Sequence, residues 1–110
     1  MATVVWYRVR DLDAARTFYK DVLGFKETFV DFDDRWAQLE REQTSIALAE
    51  GEPEEEGGVA ALDVEDVKAE AERLRGEGID VGVVFELHGQ IRLVDIFDPD
   101  GNRIQLSQPL

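Results

Sequence analysis

Near the end of this 110-residue chain, in the run RIQLS, Ile104 and Leu106 flank a single polar side chain, Gln105. Successive side chains of a strand point to opposite faces, so two apolar neighbours on a core leave the glutamine on the other face, where a ligand could lie. An amide there donates and accepts hydrogen bonds, but it brings no charge and is a weak ligand for a divalent ion. The same parity in VVWYRV sends Val5, Tyr7 and Val9 under a helix and leaves Val4, Trp6 and Arg8 opposite. In VAALDV it sends Ala60, Leu62 and Val64 under a second helix and leaves Val59, Ala61 and Asp63 opposite. Trp6, Arg8, Trp36, Asp63, Arg92 and Gln105 are therefore the candidate binding residues, with Arg103 a further polar neighbour. Trp6 offers a ring on which a flat or cationic ligand can stack. Arg8 and Asp63 either pair with one another, as buried charges require, or exchange that pairing for a ligand's polar group.

Other chemistry is scarce. The chain has no cysteine, which removes disulfides, thiolate metal sites and thiol nucleophiles. Its one histidine, His88, lies beside Gly89 in ELHGQ; a loop histidine of this kind is a solvated residue, and its functional alternative is a lid with an acid/base role. DPDGN, from Asp98 to Asn102, is strong turn chemistry and not a catalytic cluster. No serine, histidine and acid arrangement and no phosphate-cradling glycine loop stands out.

Charge narrows the partners. Twenty-five acidic against twelve basic residues give a formal charge of -13, which repels nucleic-acid phosphates and anionic lipid surfaces and attracts cations. No apolar run approaches the roughly 20 residues that span a bilayer, and MATVVWYRV lacks the basic and apolar regions of a secretion signal. The expectation is a cytoplasmic protein whose partner is a small organic molecule, cationic or aromatic, with neither nucleic acid nor membrane.

The elements that position these residues occur twice. DLDAARTFYKDVLGF carries Leu12, Ala15, Phe18, Tyr19 and Val22 at helical spacing, with Asp11 as N-cap and Gly24 as stop. EDVKAEAERLRGEGI repeats the pattern with Val67, Ala71 and Leu74, stopped at Gly78. Val9 and Val64, Asp11 and Asp66, and Tyr19 and Leu74 share one offset of 55 residues, the mark of an internal duplication. Strand-like runs follow each helix: 25–31, 35–41 and 45–49 in the first half, 80–85, 91–97 and 103–107 in the second. Ile46 and Leu48 match Ile104 and Leu106 at a slightly larger offset, so a few residues are inserted before the later strands, around FELHGQ. The predicted fold is α+β: two tandem βαβββ modules, about 1–50 and 58–110, joined by an acidic linker at about 50–58 within one domain, their mixed sheets forming a cupped cleft.

The paired βαβββ layout, with VRDLDAARTFYKDVLGF and FDPDGNRIQL in this order, resembles the vicinal oxygen chelate superfamily of glyoxalases, bleomycin resistance proteins and dioxygenases. The resemblance covers essentially the whole chain. It implies small-molecule binding or chemistry in the cleft, and in metal-dependent members a metal held from four cleft positions. Those positions here are Val4, Ala47, Val59 and Gln105, of which only Gln105 carries a donor, so neither a metal nor another cofactor is expected. The preferred reading is a metal-independent protein resembling bleomycin resistance proteins, sequestering an organic ligand in the antibiotic-resistance manner. The alternative is a lyase, isomerase or oxygenase with an unconventional or metal-free site. A homodimer is expected, because two open sheets leave edge and apolar surface to cover.

Overall fold

The computed structural model describes residues 4–53 and 58–110. Most of the acidic run of the linker, residues 54–57, lies outside them.

The first module runs β1 (Val4–Val9), α1 (Leu12–Thr17), a π-helical turn (Phe18–Val22), β2 (Lys26–Asp31), β3 (Trp36–Arg41) and β4 (Thr44–Glu50). Asp11 caps α1 by accepting from Ala14 N, and Gly24 takes φ 73°, a left-handed value that ends a helix without a Cβ clash. The extra residue per turn at Phe18–Val22 widens the helix where Phe18 and Tyr19 both turn inward. The strands pair in the order β1-β4-β3-β2, with β1 parallel to β4.

The second module repeats the plan with β5 (Ala60–Asp63), α2 (Val67–Gly76), β6 (Asp80–Val81), β7 (Phe85–Leu87), β8 (Ile91–Phe97) and β9 (Arg103–Pro109). Asp66 caps α2 as Asp11 caps α1. β5 lies parallel to β9, which pairs with β8. The single strand expected at 80–85 is instead two short ones, both on the outer edge of β8. Gly82 donates its N–H to the Asp95 carbonyl at 2.8 Å, and the chain leaves the ladder there until Phe85.

One core lies on the helix side of both sheets. Tyr7, Val9, Leu39, Ile46 and Leu48 from the first and Leu62, Ile96, Ile104 and Leu106 from the second are buried in it with Leu12, Tyr19 and Leu74. The modules are stapled at its centre by Tyr7, whose hydroxyl donates to the Arg103 carbonyl at 2.6 Å and accepts from Ala60 N at 2.7 Å. Tyr19 donates to Asp98 at 2.8 Å, and Asn102 Nδ2 donates to the Arg8 carbonyl at 3.0 Å, so the DPDGN turn locks the end of β1. Burial pushes the Tyr7 hydroxyl up to about 12 and the Tyr19 hydroxyl higher still.

Candidate functional site: the cup faces of the two sheets

Strand register sets the surface opposite the core. On the first sheet one row reads Trp6, Ala47, Gln38, Phe29 and the next reads Arg8, Ala49, Trp36, Asp31. Alanine at both β4 positions leaves room above the sheet, and three rings occupy it. Trp6 and Trp36 lie with centroids 5.8 Å apart, Phe29 and Trp36 4.9 Å apart, each pair tilted at 39°. Ala47 is fully covered, whereas Trp6 and Phe29 remain 55% and 49% exposed. Trp6 and Phe29, half-exposed, with Trp36 packed between them over a small-residue floor, form an apolar aromatic surface open to a ligand.

Phe29 was not among the residues expected here. Strict alternation from Phe25, which is buried in the core, through Glu27, which pairs with Arg16 of α1, puts Phe29 on the helix side. A β-bulge between Glu27 and Phe29 reverses the phase. Val30 then packs on the core and Phe29 joins the tryptophans.

On the second sheet the rows read Ala61, Gln105, Asp95 and then Asp63, Ser107, Leu93, Phe85. Gln105 is half-buried, and its Nε2 donates to Asp95 Oδ1 at 3.4 Å. Arg103 Nη1 stands 3.6 Å from Asp95 Oδ2. Ser107 donates its hydroxyl to Asp63 Oδ1 at 2.9 Å. Gln105 and Asp63 thus stand on one face, each oriented by a neighbour.

The other expected residues divide. Trp6, Trp36 and Arg8 are on the first sheet's cup face, but Arg8 and Asp63 are not joined as a pair. Asp63 is held by Ser107, and Arg8 runs along Gly51, where a Cβ would stand 3.3 Å from Nη1. Arg92 is a correction. It faces Gln108, whose side chain accepts from Val67 N at the start of α2, so it lies on the helix side of the sheet, bonded to Glu86 at 2.6 Å. His88 occupies the β7–β8 turn, exposed, with φ 55°. An open crevice of about 610 Å³ lies between Asp63 and α2, lined by Glu42, Glu65, Asp66 and Glu70; the aromatic rings and Gln105 do not border it.

The four positions that the resemblance assigns to a metal do not fit one. Val4, Ala47 and Val59 have no donor atoms, and Gln105 turns its N–H toward Asp95. A catalytic metal needs about three nitrogen or oxygen ligands and an open position. Among the described residues no cluster of three or more histidine, cysteine, aspartate or glutamate side chains could hold an ion.

Two βαβββ modules, one face of each sheet on a shared core and the other lined for contact, define a cup-shaped small-molecule fold. The chain matches the Glyoxalase/Bleomycin resistance protein/Dioxygenase superfamily over residues 2–106, and it belongs to that superfamily. No curated protein matches it. An integron cassette protein from the mobile metagenome of the Halifax Harbour sewage outfall superposes with a TM-score of 0.85 at 20% identity, covering 98% of this chain and 97% of that one. TnmS3, an antibiotic binding protein from Streptomyces sp. CB03234, superposes at 0.77 with 28% identity over 100% and 98% of the two chains. A glyoxalase/bleomycin resistance protein from the same Streptomyces strain superposes at 0.79 with 28% identity over 96% and 97%. No helix among the described residues is long and apolar enough to cross a membrane.

Proposed function

We propose that this protein binds a flat organic molecule without a metal, between a wall made by Trp6, Phe29 and Trp36 and a wall carrying Gln105 and Asp63. The observation that carries the reading is the aromatic surface: three rings on an alanine floor, two of them, Trp6 and Phe29, half-exposed where a core packing role would bury them. The absent donors at Val4, Ala47 and Val59 and the likeness to a protein described as antibiotic binding support it. A net charge of -13 favours a cationic ligand, in a cytoplasmic setting. We read the functional unit as a homodimer, because Val83, Phe85, Leu87 and Leu110 expose apolar surface at the outer end of the second sheet. Sedimentation that finds a monomer at micromolar concentration refutes the dimer.

Quenching of tryptophan fluorescence on titration with 9-aminoacridine, a flat cation, tests the binding. Saturable quenching is expected, weakened at least tenfold by Trp6→Ala or Trp36→Ala in variants that still melt cooperatively. Unchanged affinity in both variants refutes the aromatic wall. Stoichiometric zinc, nickel, manganese or iron in protein as purified refutes the metal-free reading.

A further inference from the structure

We infer that the ligand presents hydrogen-bond donors, hydroxyl or protonated amine, along the edge that meets the second sheet, and not a carboxylate, sulfonate or phosphate. The inference rests on the cup-binding reading above and deepens it to a ligand class.

Asp95 fixes the orientation of the amide. A carboxylate only accepts, so the Gln105 group turned toward it at 3.4 Å must be the NH₂. The carbonyl Oε1 is then the atom that Asp95 does not engage, and Ala61, the other neighbour of Gln105 in the row, has no side-chain donor to offer it. Among the described residues no donor is bonded to Oε1. No buried side-chain polar atom among them lacks a partner either, so this oxygen is accessible and not entombed.

Asp63 is the second acceptor. Its Oδ1 takes the Ser107 hydroxyl, which uses up the only hydrogen that Ser107 could offer a ligand. Oδ2 has no bonded donor among the described residues. Ala61 and Asp63 are two residues apart on β5, and their partners Gln105 and Ser107 are two apart on β9. Gln105 and Asp63 are therefore diagonal neighbours across the β5–β9 pair, with roughly 8 Å between their positions on the sheet. An anionic edge placed there would meet two oxygens and a formal charge, and a donor edge would satisfy both. Arg103, half-exposed, is turned toward Asp95.

Three naphthalenes of equal ring size separate the possibilities by calorimetric titration: 2,7-dihydroxynaphthalene, 2,7-dimethoxynaphthalene and naphthalene-2,7-disulfonate. The diol is expected to bind at least tenfold more tightly than the diether, with the disulfonate weakest, since two net hydrogen bonds are worth that factor or more. Gln105→Met, close in volume, should reduce the diol's advantage to threefold or less. Asp63→Asn, which keeps an acceptor for Ser107, should do the same if Gln105→Met fails to melt cooperatively. Equal binding of diol and diether in the wild type overturns the donor rule and leaves the aromatic wall standing. Preference for the disulfonate overturns it too, and no binding of any of the three overturns both.

Discussion

Gln105→Glu adds a carboxylate at one of the four positions that the resemblance assigns to a metal, and its cost has another origin. The new carboxylate would stand where Nε2 now lies, 3.4 Å from Asp95 Oδ1. Two unit charges about 4 Å apart at an effective dielectric of about 20 repel by about 4 kcal/mol. Arg103, 3.6 Å from Asp95, and solvent at this half-buried site offset part of that. Protonation sets a ceiling. A glutamate with an ordinary value near 4.3 can be held neutral at pH 7 for about 3.7 kcal/mol, because each unit is worth about 1.4. The expected loss at pH 7 is therefore about 1–3 kcal/mol. Its sign with pH follows from the direction of the shift: the folded-state value is raised, so the penalty is absent below the unfolded value near 4 and grows as pH rises through the folded one. Urea midpoints for wild type and variant between pH 4 and 8 should converge at the acid end, and adding Asp95→Asn should remove the pH dependence. A deficit independent of pH would refute the charge argument and point to packing. The variant should still take up no stoichiometric metal in equilibrium dialysis, since two carboxylates without further ligands make an incomplete site.

Other outcomes follow from the staple and the turns. Tyr7→Phe leaves Ala60 N–H and the Arg103 carbonyl buried without their partner and should cost about 2–5 kcal/mol by urea denaturation. Tyr19→Phe should cost less, about 1 kcal/mol, because Asp98 keeps bonds from Asp100 N, Asn102 N and Asn102 Nδ2. Wild-type stability should hold up to about pH 10 and then fall by about 2–3 kcal/mol between 10 and 12 from Tyr7 alone, since its folded value is about 12 against 10 unfolded. Tyr19 shifts in the same direction and steepens the fall, which tyrosinate absorbance can follow alongside unfolding. Glu42 holds φ 54° in the β3–β4 turn, so Glu42→Gly should raise the melting midpoint, a gain of about 0.5–1 kcal/mol after glycine's greater unfolded freedom.

Much of this architecture is legible in residue order because local and tertiary preferences agree. Asp11 and Asp66 cap the helices, Gly24 ends the first, and the apolar spacing on both helices marks the residues that are buried. Parity placed Trp6 and Asp63 correctly because β1 and β5 are regular. Where a strand departs from regularity the reading fails. The bulge before Phe29 reverses a face that alternation assigns confidently, and no turn-forming residue in KETFVD signals it. The gap at Gly82–Val84 is a tertiary effect, set by the Gly82 bond to β8. Arg92 is different. Within β8 it alternates with Leu93 and Asp95, so once the register with β9 puts Asp95 beside Gln105 the other face is forced on Arg92.

The duplication explains why one chain can offer two unlike walls. Corresponding cup positions hold Trp6 and Ala61, Arg8 and Asp63, Ala47 and Gln105, Ala49 and Ser107, Trp36 and Leu93, Gln38 and Asp95. At the first the large ring is in the first module and the small residue in the second; at the third and fourth the order reverses. The alanines that give the tryptophans space are the very positions where the second sheet has its glutamine and serine. Backbone symmetry is retained by the paired caps, the parallel β1–β4 and β5–β9 ladders and the common core. Chemical symmetry is lost on the one surface that folding does not constrain, and each side chain there is oriented by its own sheet: Trp6 by Trp36, Gln105 by Asp95, Asp63 by Ser107. Walls preorganised in this way lose little rotamer freedom when a ligand arrives. On the proposed reading they suit a molecule with a flat apolar face and a separate polar edge.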